Sequence, residues 1–286
     1  MFEGEGRPRL DQMSTEDLVR VIHAGDREAA AAVDGALNDL GRAVDAIAER
    51  LGAGGGLMAV GAGTSGRLAA LDAAELGPTY DWPAERWRTE MAGGPAAFWV
   101  AQEGAEDDEG AGRQLGAQLT AGDCLLAVAA SGATPFVGGA LQAARSAGAL
   151  TVGIFCQDPA RLDPFTDIPV HLVVGPEVVR GSTRMKAGTA QKMALTLLST
   201  GVMVRLGRVW GDLMVDMRVT NQKLRRRAAA FVEELAGCSA ADAETLLAGN
   251  AWSVRRAAAA SLTGLSGVAL TTWLRDHPDL KSPSGS

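Results

Sequence analysis

Two glutamates stand where a carboxyl group could act as an acid or a base. The first, Glu75, belongs to a helical stretch in which Leu68 and Leu71 fall on the same face. Gly77 and Pro78 follow, and they predict that the helix ends there, where its dipole disfavours an anion. Burial beside leucines and the dipole would both raise the pKa of Glu75, which suits an acid that donates a proton. The alternative is an exposed glutamate at a frayed helix end.

The second glutamate, Glu106, belongs to the densest acidic run of the chain, residues 103–110. A helix is predicted from about residue 107 to residue 119, so the run lies near the positive end of that helix and its carboxylates should stay ionised. An ionised carboxylate suits a general base. A solvated acidic cap is the competing interpretation, and the oxygen spacing of an EF-hand calcium loop is missing.

Three loops combine small residues with hydroxyl groups, and each precedes a predicted helix: residues 61–67, 131–135 and 181–186. The first two follow apolar runs that are typical of strands. Glycine lets a ligand approach the backbone closely, and the unpaired N–H groups of a helix N-terminus favour an anion. The expected ligand of these loops is therefore a phosphate.

The first loop also contains a Gly-x-Gly-x-x-Gly pattern, formed by Gly61, Gly63 and Gly66. A dinucleotide site would need an acidic residue at the end of a second strand about 20 residues later; we assign no residue to that position, and the chain offers three hydroxyl loops instead of one. No Gly-Lys-Ser/Thr sequence follows, so a nucleoside triphosphate P-loop is not supported. Each loop could also be a capped strand-to-helix turn that binds nothing.

The pattern of apolar residues predicts the scaffold that holds these loops. Helical sequence runs from residue 14 to residue 50. Short apolar runs rich in Val, Ile and Leu follow at 57–60, 124–129, 150–156 and 168–174, with a weaker one at 87–91. Non-alternating runs of this length are typical of a parallel sheet covered on both faces. We predict an α/β fold with three α/β/α layers and right-handed crossovers, preceded by N-terminal helices.

Helical sequence returns after residue 186 and continues to residue 207, and residues 213–235 keep that character. From residue 237 a new segment starts, with Ser239 and Asp242 at the spacing of a helix cap. Breaks near Asn250, Gly264 and Gly267 predict three short helices there. The predicted segments are N-terminal helices (1–50), an α/β domain (51–212), a connecting helix (213–236), a small helical module (237–280) and a disordered tail (281–286).

Composition excludes several kinds of site. The 286 residues have 27 Lys and Arg against 34 Asp and Glu, a net charge of −7 without a basic block, which argues against nucleic acid as a partner. Three cysteines and the histidines His23, His171 and His277 lack the spacing of metal ligands or of a disulfide framework. We therefore expect no metal and a reducing compartment. The first residues lack the pattern of a secretory signal, and the uncharged stretch 257–274 is weakly apolar, so we expect a buried helix pair and no membrane span.

Three motifs, taken together, resemble those of the N-acetylmuramic acid 6-phosphate etherases. They are Gly-Ala-Gly-Thr-Ser-Gly-Arg-Leu at 61–68 with Leu-Asp-Ala-Ala-Glu at 71–75, Glu-Gly-Ala-Glu-Asp at 103–107, and Gly-Ser-Thr-Arg-Met-Lys-Ala-Gly-Thr-Ala-Gln-Lys at 181–192. The match continues through residues 199–203 and 213–216 and covers roughly residues 10–262. The family has a sugar-isomerase (SIS) phosphosugar-binding domain with a helical C-terminal extension, in agreement with the organisation predicted above.

The resemblance implies a carbon–oxygen lyase that cleaves the D-lactyl ether of N-acetylmuramic acid 6-phosphate. The products would be N-acetylglucosamine 6-phosphate and D-lactate, formed during recycling of cell-wall amino sugars. It also implies a cytoplasmic homodimer without a metal or other cofactor. By motif, Glu75 corresponds to the family's acid and Glu106 to its second catalytic carboxylate. The sugar phosphate would lie against the loop residues Gly63, Thr64, Ser65, Ser131, Gly132, Thr134, Ser182 and Thr183.

The chain departs from the family pattern at two places. Leu76, Gly77 and Pro78 replace the usual Cys-Pro-Pro, and Ala133 replaces an arginine. Two other functions stay open. One is a non-catalytic phosphosugar-sensing regulator, because glucokinase regulatory proteins resemble these etherases, although they have two SIS domains. The other is an aldose–ketose phosphosugar isomerase, which would remove the same C2 proton without needing an acid at O3.

Overall fold

Two long helices precede the first strand. They are α1 (Thr15–Asp34) and α2 (Leu37–Gly52), and Ser14 caps α1 by accepting a hydrogen bond from the N–H of Asp17 at 3.1 Å. The helical prediction for residues 14–50 is therefore confirmed. This computed structural model describes residues 9–277 and residue 280.

Within the described residues, five strands form one parallel sheet in the order β2-β1-β3-β4-β5. The central strands β1 and β3 are buried along their whole length, as the unbroken apolar runs predict. The weakest of the predicted strands, β2, is the edge strand beside β1. The strands are β1 (Leu57–Gly61), β2 (Trp87–Met91), β3 (Cys124–Ala129), β4 (Leu150–Phe155) and β5 (Ile168–His171).

Helices cover both faces of this sheet. On one face, α2, α3 (Gly63–Tyr80) and α6 (Lys186–Arg205) share a core with side chains such as Leu126 and Ile154. On the other face, α5 (Pro135–Ser146) and the short α4 (Glu109–Gly116) pack over Leu125 and Ala127. The predicted three-layer α/β/α fold is confirmed.

The chain reverses direction across the sheet between β1 and β3. From β1 the chain passes through α3 to β2 on one side, and from β3 it passes through α5 to β4 on the other side. The carboxyl ends of β1 and β3 therefore lie side by side while their following helices diverge to opposite faces. Such a switch point is where open α/β sheets bind ligands.

The helices α4 and α5 approach each other closely, and a glycine makes this possible. A Cβ atom at Gly112 in α4 would overlap the carbonyl oxygen of Phe136 in α5. Because α4 follows the acidic run and α5 follows the second hydroxyl loop, this contact sets the position of one loop against the other.

The C-terminal part of the described chain is helical and has a core of its own. It contains α7 (Gln222–Ala236), α8 (Ala240–Gly249), α9 (Val254–Thr263) and α10 (Gly267–Asp276). The last three are the predicted short helices, and Ser239 caps α8 through the N–H of Asp242. The predicted tail, residues 281–286, lies outside the described residues.

The helix expected from residue 213 begins only at Gln222. The side chain of Asn221 accepts a hydrogen bond from the N–H of Leu224 at 3.0 Å and so caps the helix there. The preceding segment is irregular because Val215 and Met217 pack into the core of the C-terminal helices instead of following a helical face.

An aspartate connects this C-terminal part to the end of α6. Asp216 is nearly buried and forms ion pairs with Arg208, at 3.4 Å, and with Arg255 of α9. In the chain as described, no single helix has both the length and the apolar character of a membrane span. The helices α9 and α10 reach that length and apolar character only when they are taken together, and their axes are bent by 102° against each other.

Candidate active site

A cavity of about 350 Å³ opens at the carboxyl ends of β1 and β3. It brings together most of the residues that the sequence singled out: Gly63, Thr64, Ser65, Glu106, Ser131, Thr134 and Thr183. We call this space the phosphate cavity. Its location at the switch point of the sheet is the usual place for a small-molecule site in this architecture.

Two helix N-termini point their dipoles at the phosphate cavity. The helix α3 starts at Gly63 and α5 starts at Pro135, and neither Ala62 nor Thr134 uses its side chain to cap the helix that follows. The free N–H groups and the positive ends of both dipoles favour an anion. Among the residues that the structure describes, no lysine or arginine lines the cavity, so backbone dipoles and hydroxyl groups provide its attraction for a phosphate.

The third hydroxyl loop differs from the other two. The carboxylate of Glu177 accepts hydrogen bonds from the N–H groups of Lys186, at 2.8 Å, and Ala187, at 3.0 Å, at the start of α6. This helix N-terminus is therefore already capped by an anion, and the loop adds the side chain of Thr183 to the cavity instead. The sequence analysis did not identify Glu177; an acidic residue before a predicted helix is its only signal.

Ser65 is buried, and its hydroxyl already has a partner. Its Oγ donates a hydrogen bond to Oε1 of Gln191 in α6 at 2.8 Å, and Gln191 is completely buried. Within the described chain, Nε2 of Gln191 has no hydrogen-bond partner. This bond fixes the first turn of α3 against α6, so the hydroxyl of Ser65 has a positioning part in addition to its place in the cavity wall.

The second loop is stabilised by its own hydroxyl groups. Oγ of Ser131 accepts a hydrogen bond from the N–H of Ala133 at 3.2 Å and lies 3.4 Å from Oγ1 of Thr134. Gly132 has a positive φ of 58° and is buried, and it packs closely against Ala160 instead of facing the cavity. Of the candidate phosphate-binding residues, Gly132 and Ser182 are the two outside the described lining.

Glu106 lies in a single 3-10 turn, Ala105–Asp107, before the first residue of α4. The helix predicted for residues 107–119 spans only Glu109–Gly116, and Asp108 sets its start by accepting a hydrogen bond from the N–H of Ala111 at 2.9 Å. The carboxylate of Glu106 is exposed and lines the phosphate cavity beside the hydroxyl groups of both loops. This arrangement is open to a substrate and suits a base.

Glu75 lies elsewhere. The helix α3 continues past Gly77 to Tyr80 with Pro78 inside it, so Glu75 is not in the last turn, and its side chain is exposed instead of buried against leucines. Pro78 has no backbone N–H group, so one hydrogen bond of the helix is not formed. The burial of Leu76 and Tyr80 stabilises this last turn despite that loss. Glu75 lines a second cavity of about 350 Å³ between α3 and α6, which we call the α3–α6 cavity.

The carboxyl group with the raised pKa in the α3–α6 cavity is Asp72. Burial raises the pKa of Asp72, and a hydrogen bond from Oγ of Ser199 at 3.1 Å and the charge of Lys192 oppose the change. Its Oδ2 is buried without a hydrogen-bond partner in the described part of the chain. The environment predicted for Glu75 is therefore found one helical turn earlier, on the side of α3 that faces α6.

Sequence comparison identifies close relatives. The chain is 47% identical to the N-acetylmuramic acid 6-phosphate etherase of Symbiobacterium thermophilum over 257 residues. This alignment covers 90% of this chain and 86% of the relative. The etherase of Salmonella agona is 44% identical and covers 94% of this chain and 91% of its own length. A family model described as the glucokinase regulatory protein N-terminal SIS domain matches residues 39–145.

Structure comparison supports the same architecture. A phosphoheptose isomerase from Francisella tularensis superposes with a TM-score of 0.50 at 16% sequence identity, over 68% of this chain and 98% of that chain. This likeness concerns the fold alone. The matches with these two etherases cover 90% and 94% of this chain and 86% and 91% of the relatives' own lengths. The chain belongs to the N-acetylmuramic acid 6-phosphate etherase family.

Proposed function

We propose that this protein is a carbon–oxygen lyase that cleaves the D-lactyl ether of N-acetylmuramic acid 6-phosphate in the recycling of cell-wall amino sugars. The products are N-acetylglucosamine 6-phosphate and D-lactate. One observation carries the proposal: in a chain that is 44–47% identical to named etherases, a glutamate lines the same cavity as two uncapped helix N-termini.

The phosphate of the substrate binds first in this account. The N-termini of α3 and α5 and the side chains of Thr64, Ser131, Thr134 and Thr183 surround it. The phosphate takes no part in bond breaking, so its binding energy serves to orient C2 and C3 of the sugar against the carboxylates.

An alkyl ether is a poor leaving group, and the open-chain form of the sugar provides an easier route. Its aldehyde group at C1 makes the proton on C2 more acidic. The ether oxygen is bonded to C3, which is the carbon β to this carbonyl group, so it can leave by elimination. The carboxylate of Glu106, in the phosphate cavity, takes the C2 proton. The electron pair of the C2–H bond is first held as the enolate of the C1 aldehyde, and it then forms a C2–C3 double bond as the C3–O bond breaks.

Glu75, as a carboxylic acid, donates a proton to the departing ether oxygen, so that lactate leaves with its hydroxyl group restored. Water then adds to C3 and a proton returns to C2, which gives N-acetylglucosamine 6-phosphate. Proton transfers of this kind contribute about 10²–10⁴-fold each to the rate.

The position of Glu75 favours a homodimer. Glu75 follows Thr64 by eleven residues in one helix, which is a separation of about 16 Å along its axis. This exceeds the distance from the phosphorus to C3 of one hexose phosphate, so Glu75 cannot reach a sugar whose phosphate lies in the phosphate cavity of its own chain. We infer that two chains associate so that Glu75 of the partner subunit completes the site.

Cytoplasmic residence is part of the same proposal. Cys124, Cys156 and Cys238 are free thiols. Burial raises the pKa of Cys124 and of Cys156 to about 12 in each case, so these two thiols are not reactive groups. A chain with free thiols and no disulfide among its described residues suits a reducing compartment.

Incubation of the purified protein with N-acetylmuramic acid 6-phosphate tests the activity directly. We expect stoichiometric release of D-lactate and N-acetylglucosamine 6-phosphate. An aldose–ketose isomerase would convert a sugar phosphate to its ketose without lactate, and a phosphosugar-sensing regulator would bind the sugar without turnover. Either result, at high enzyme concentration, would overturn the lyase assignment.

A further inference from the structure

A second space adjoins the phosphate cavity at Glu106. It has a volume of about 340 Å³, lies between the start of α3 and residues 101–106, and shares Ala62, Gly63 and Glu106 with the phosphate cavity. We call it the side cavity. Glu106 borders both cavities. A sugar with its phosphate in the phosphate cavity and its C2 atom at Glu106 would therefore extend the substituent on C3 toward the side cavity.

The side cavity contains an oriented guanidinium group. Arg67, in the second turn of α3, is half-buried, and it donates hydrogen bonds from Nε to the carbonyl oxygen of Phe98 at 2.9 Å and from Nη2 to that of Ala97 at 2.8 Å. These two carbonyl groups hold the guanidinium in one orientation. A guanidinium has more N–H donors than they use, so others remain for a ligand.

The charge of Arg67 has no counter-ion in the described residues. The carboxylates of Glu103 and Glu106 also line the side cavity, yet neither is within ion-pair distance of Arg67, nor is any other carboxylate among residues 9–277. A half-buried guanidinium without an anion is unusual, because its desolvation is not compensated. Its planar donors fit a carboxylate especially well.

The remaining wall of the side cavity suits a small apolar group. Ala92, Ala97, Ala101 and Ala105 contribute methyl side chains, Met91 also lines this wall, and Gln102 is its polar side chain. A ligand that fits this space therefore combines a carboxylate with a short aliphatic part. The substrate of the proposed reaction carries such a group, because its lactyl ether consists of a carboxylate, a methyl group and the ether oxygen on C3.

From this arrangement we propose that the side cavity is a carboxylate subsite, in which Arg67 binds the carboxylate of the lactyl substituent. The inference rests on the proposed function. Arg67 would then determine specificity for the ether substrate over sugar phosphates without a carboxylate. It would also hold the leaving group beside Glu106 while the C3–O bond breaks.

The test measures the binding and turnover of two ligands that differ only in the carboxylate: N-acetylmuramic acid 6-phosphate and its lactyl methyl ester. In the native protein, we expect the ester to bind about 10- to 100-fold more weakly than the acid, because a charge-assisted hydrogen bond is lost. The variant Arg67→Met should bind both ligands equally. N-acetylglucosamine 6-phosphate, which lacks the lactyl group, should bind the native protein and the variant alike.

Two further variants make the result interpretable. Arg113→Met removes an exposed arginine of α4 whose partner is Glu109, and it should leave the preference for the acid unchanged. Arg67→Lys keeps the positive charge and should keep part of that preference even if Arg67→Met does not fold. Equal binding of acid and ester to the native protein would overturn the proposal, and so would an equal loss of affinity for all three ligands in Arg67→Lys. Native protein that discriminates acid from ester but releases no lactate would contradict the proposed function and leave the subsite intact.

Discussion

Thr64 and Glu75 belong to the same helix, α3, but line two different cavities. Thr64 lies in the first turn beside Glu106, whereas Glu75 lies three turns later beside Asp72 and Lys192. One chain therefore supplies a phosphate cavity with a base at one end of α3 and a second carboxyl group at the other end. The chemistry proposed here requires both groups at one sugar.

Substitution of each glutamate should separate the two proton transfers. Glu75→Gln should stop lactate release while C2 of the substrate still exchanges its hydrogen with solvent, because the base is intact and the acid is lost. Glu106→Gln should abolish exchange and release together. We expect losses of about 10²–10⁴-fold in lactate release, measured by a coupled assay, with exchange followed by NMR in D₂O.

Glu49→Gln, on the exposed face of α2, is the matched control and should leave both rates unchanged. If exchange vanished in Glu75→Gln and survived in Glu106→Gln, the roles of acid and base would have to be exchanged.

Mixing the two inactive variants tests whether sites are shared between subunits. In a mixed dimer, one site would carry both substitutions and the other would carry neither. Unfolding and refolding an equal mixture should therefore restore about a quarter of the native activity, since half of the dimers are mixed and each has one intact site. Recovery of none, with dimers present by light scattering, would mean that each site uses both glutamates of one chain.

The close contact of α4 with α5 predicts opposite effects for two glycine-to-alanine substitutions. Gly112→Ala places a methyl group against the carbonyl oxygen of Phe136 and should lower the free energy of unfolding by about 1–3 kcal/mol. Gly41→Ala, in the exposed face of α2 with open space around it, should raise it by about 0.5–1 kcal/mol. Urea denaturation measures both. Equal effects would mean that the helices are not in backbone contact.

Asp72 should make stability depend on pH. Because burial raises the pKa of Asp72 above its ordinary value of 3.8, the folded chain binds this proton more tightly than the unfolded chain does. The resulting stabilisation is fully present when the pH is below the ordinary pKa of Asp72, and it is lost as the pH rises through the pKa of Asp72 in the folded chain. Asp72→Asn is neutral throughout, so its stability relative to the native chain should increase from about pH 3 to about pH 8.

Urea denaturation across this range checks the expectation for Asp72. Asp34→Asn, which changes an exposed aspartate at the end of α1, serves as the comparison. A stability difference for Asp72→Asn that stays constant with pH would contradict the assigned burial effect.

The sheet could be predicted from the sequence because its signal is local. The runs that form β1 and β3 are apolar at every position, and only burial on both faces explains such runs. The hydroxyl loops followed from the same reasoning, since each loop stands where a strand or an irregular segment meets a helix. The meeting of Thr64 and Ser131 in one cavity then follows from the pairing of β1 with β3, whereas Thr183 reaches it from the irregular segment before α6.

The details that sequence reasoning missed depend on contacts between distant residues. The sequence leaves two environments open for Glu75, buried or exposed, both at the end of its helix; α3 instead continues past Pro78 to Tyr80, and Glu75 is exposed before the last turn. Asp72 has a raised pKa because burial between α3 and α6 outweighs the opposing hydrogen bond from Ser199. Glu177 likewise caps α6 by accepting hydrogen bonds from the N–H groups of Lys186 and Ala187. No periodic pattern in the sequence indicates this contact.

Isotopic labelling of the products tests the central claim of elimination followed by water addition most directly. With N-acetylmuramic acid 6-phosphate in H₂¹⁸O, we expect ¹⁸O on C3 of N-acetylglucosamine 6-phosphate and none in the hydroxyl group of D-lactate, because the bond that breaks joins C3 to the ether oxygen. In D₂O, C2 of the same product should carry deuterium. Appearance of ¹⁸O in the lactate hydroxyl, or retention of the original hydrogen on C2, would contradict the mechanism.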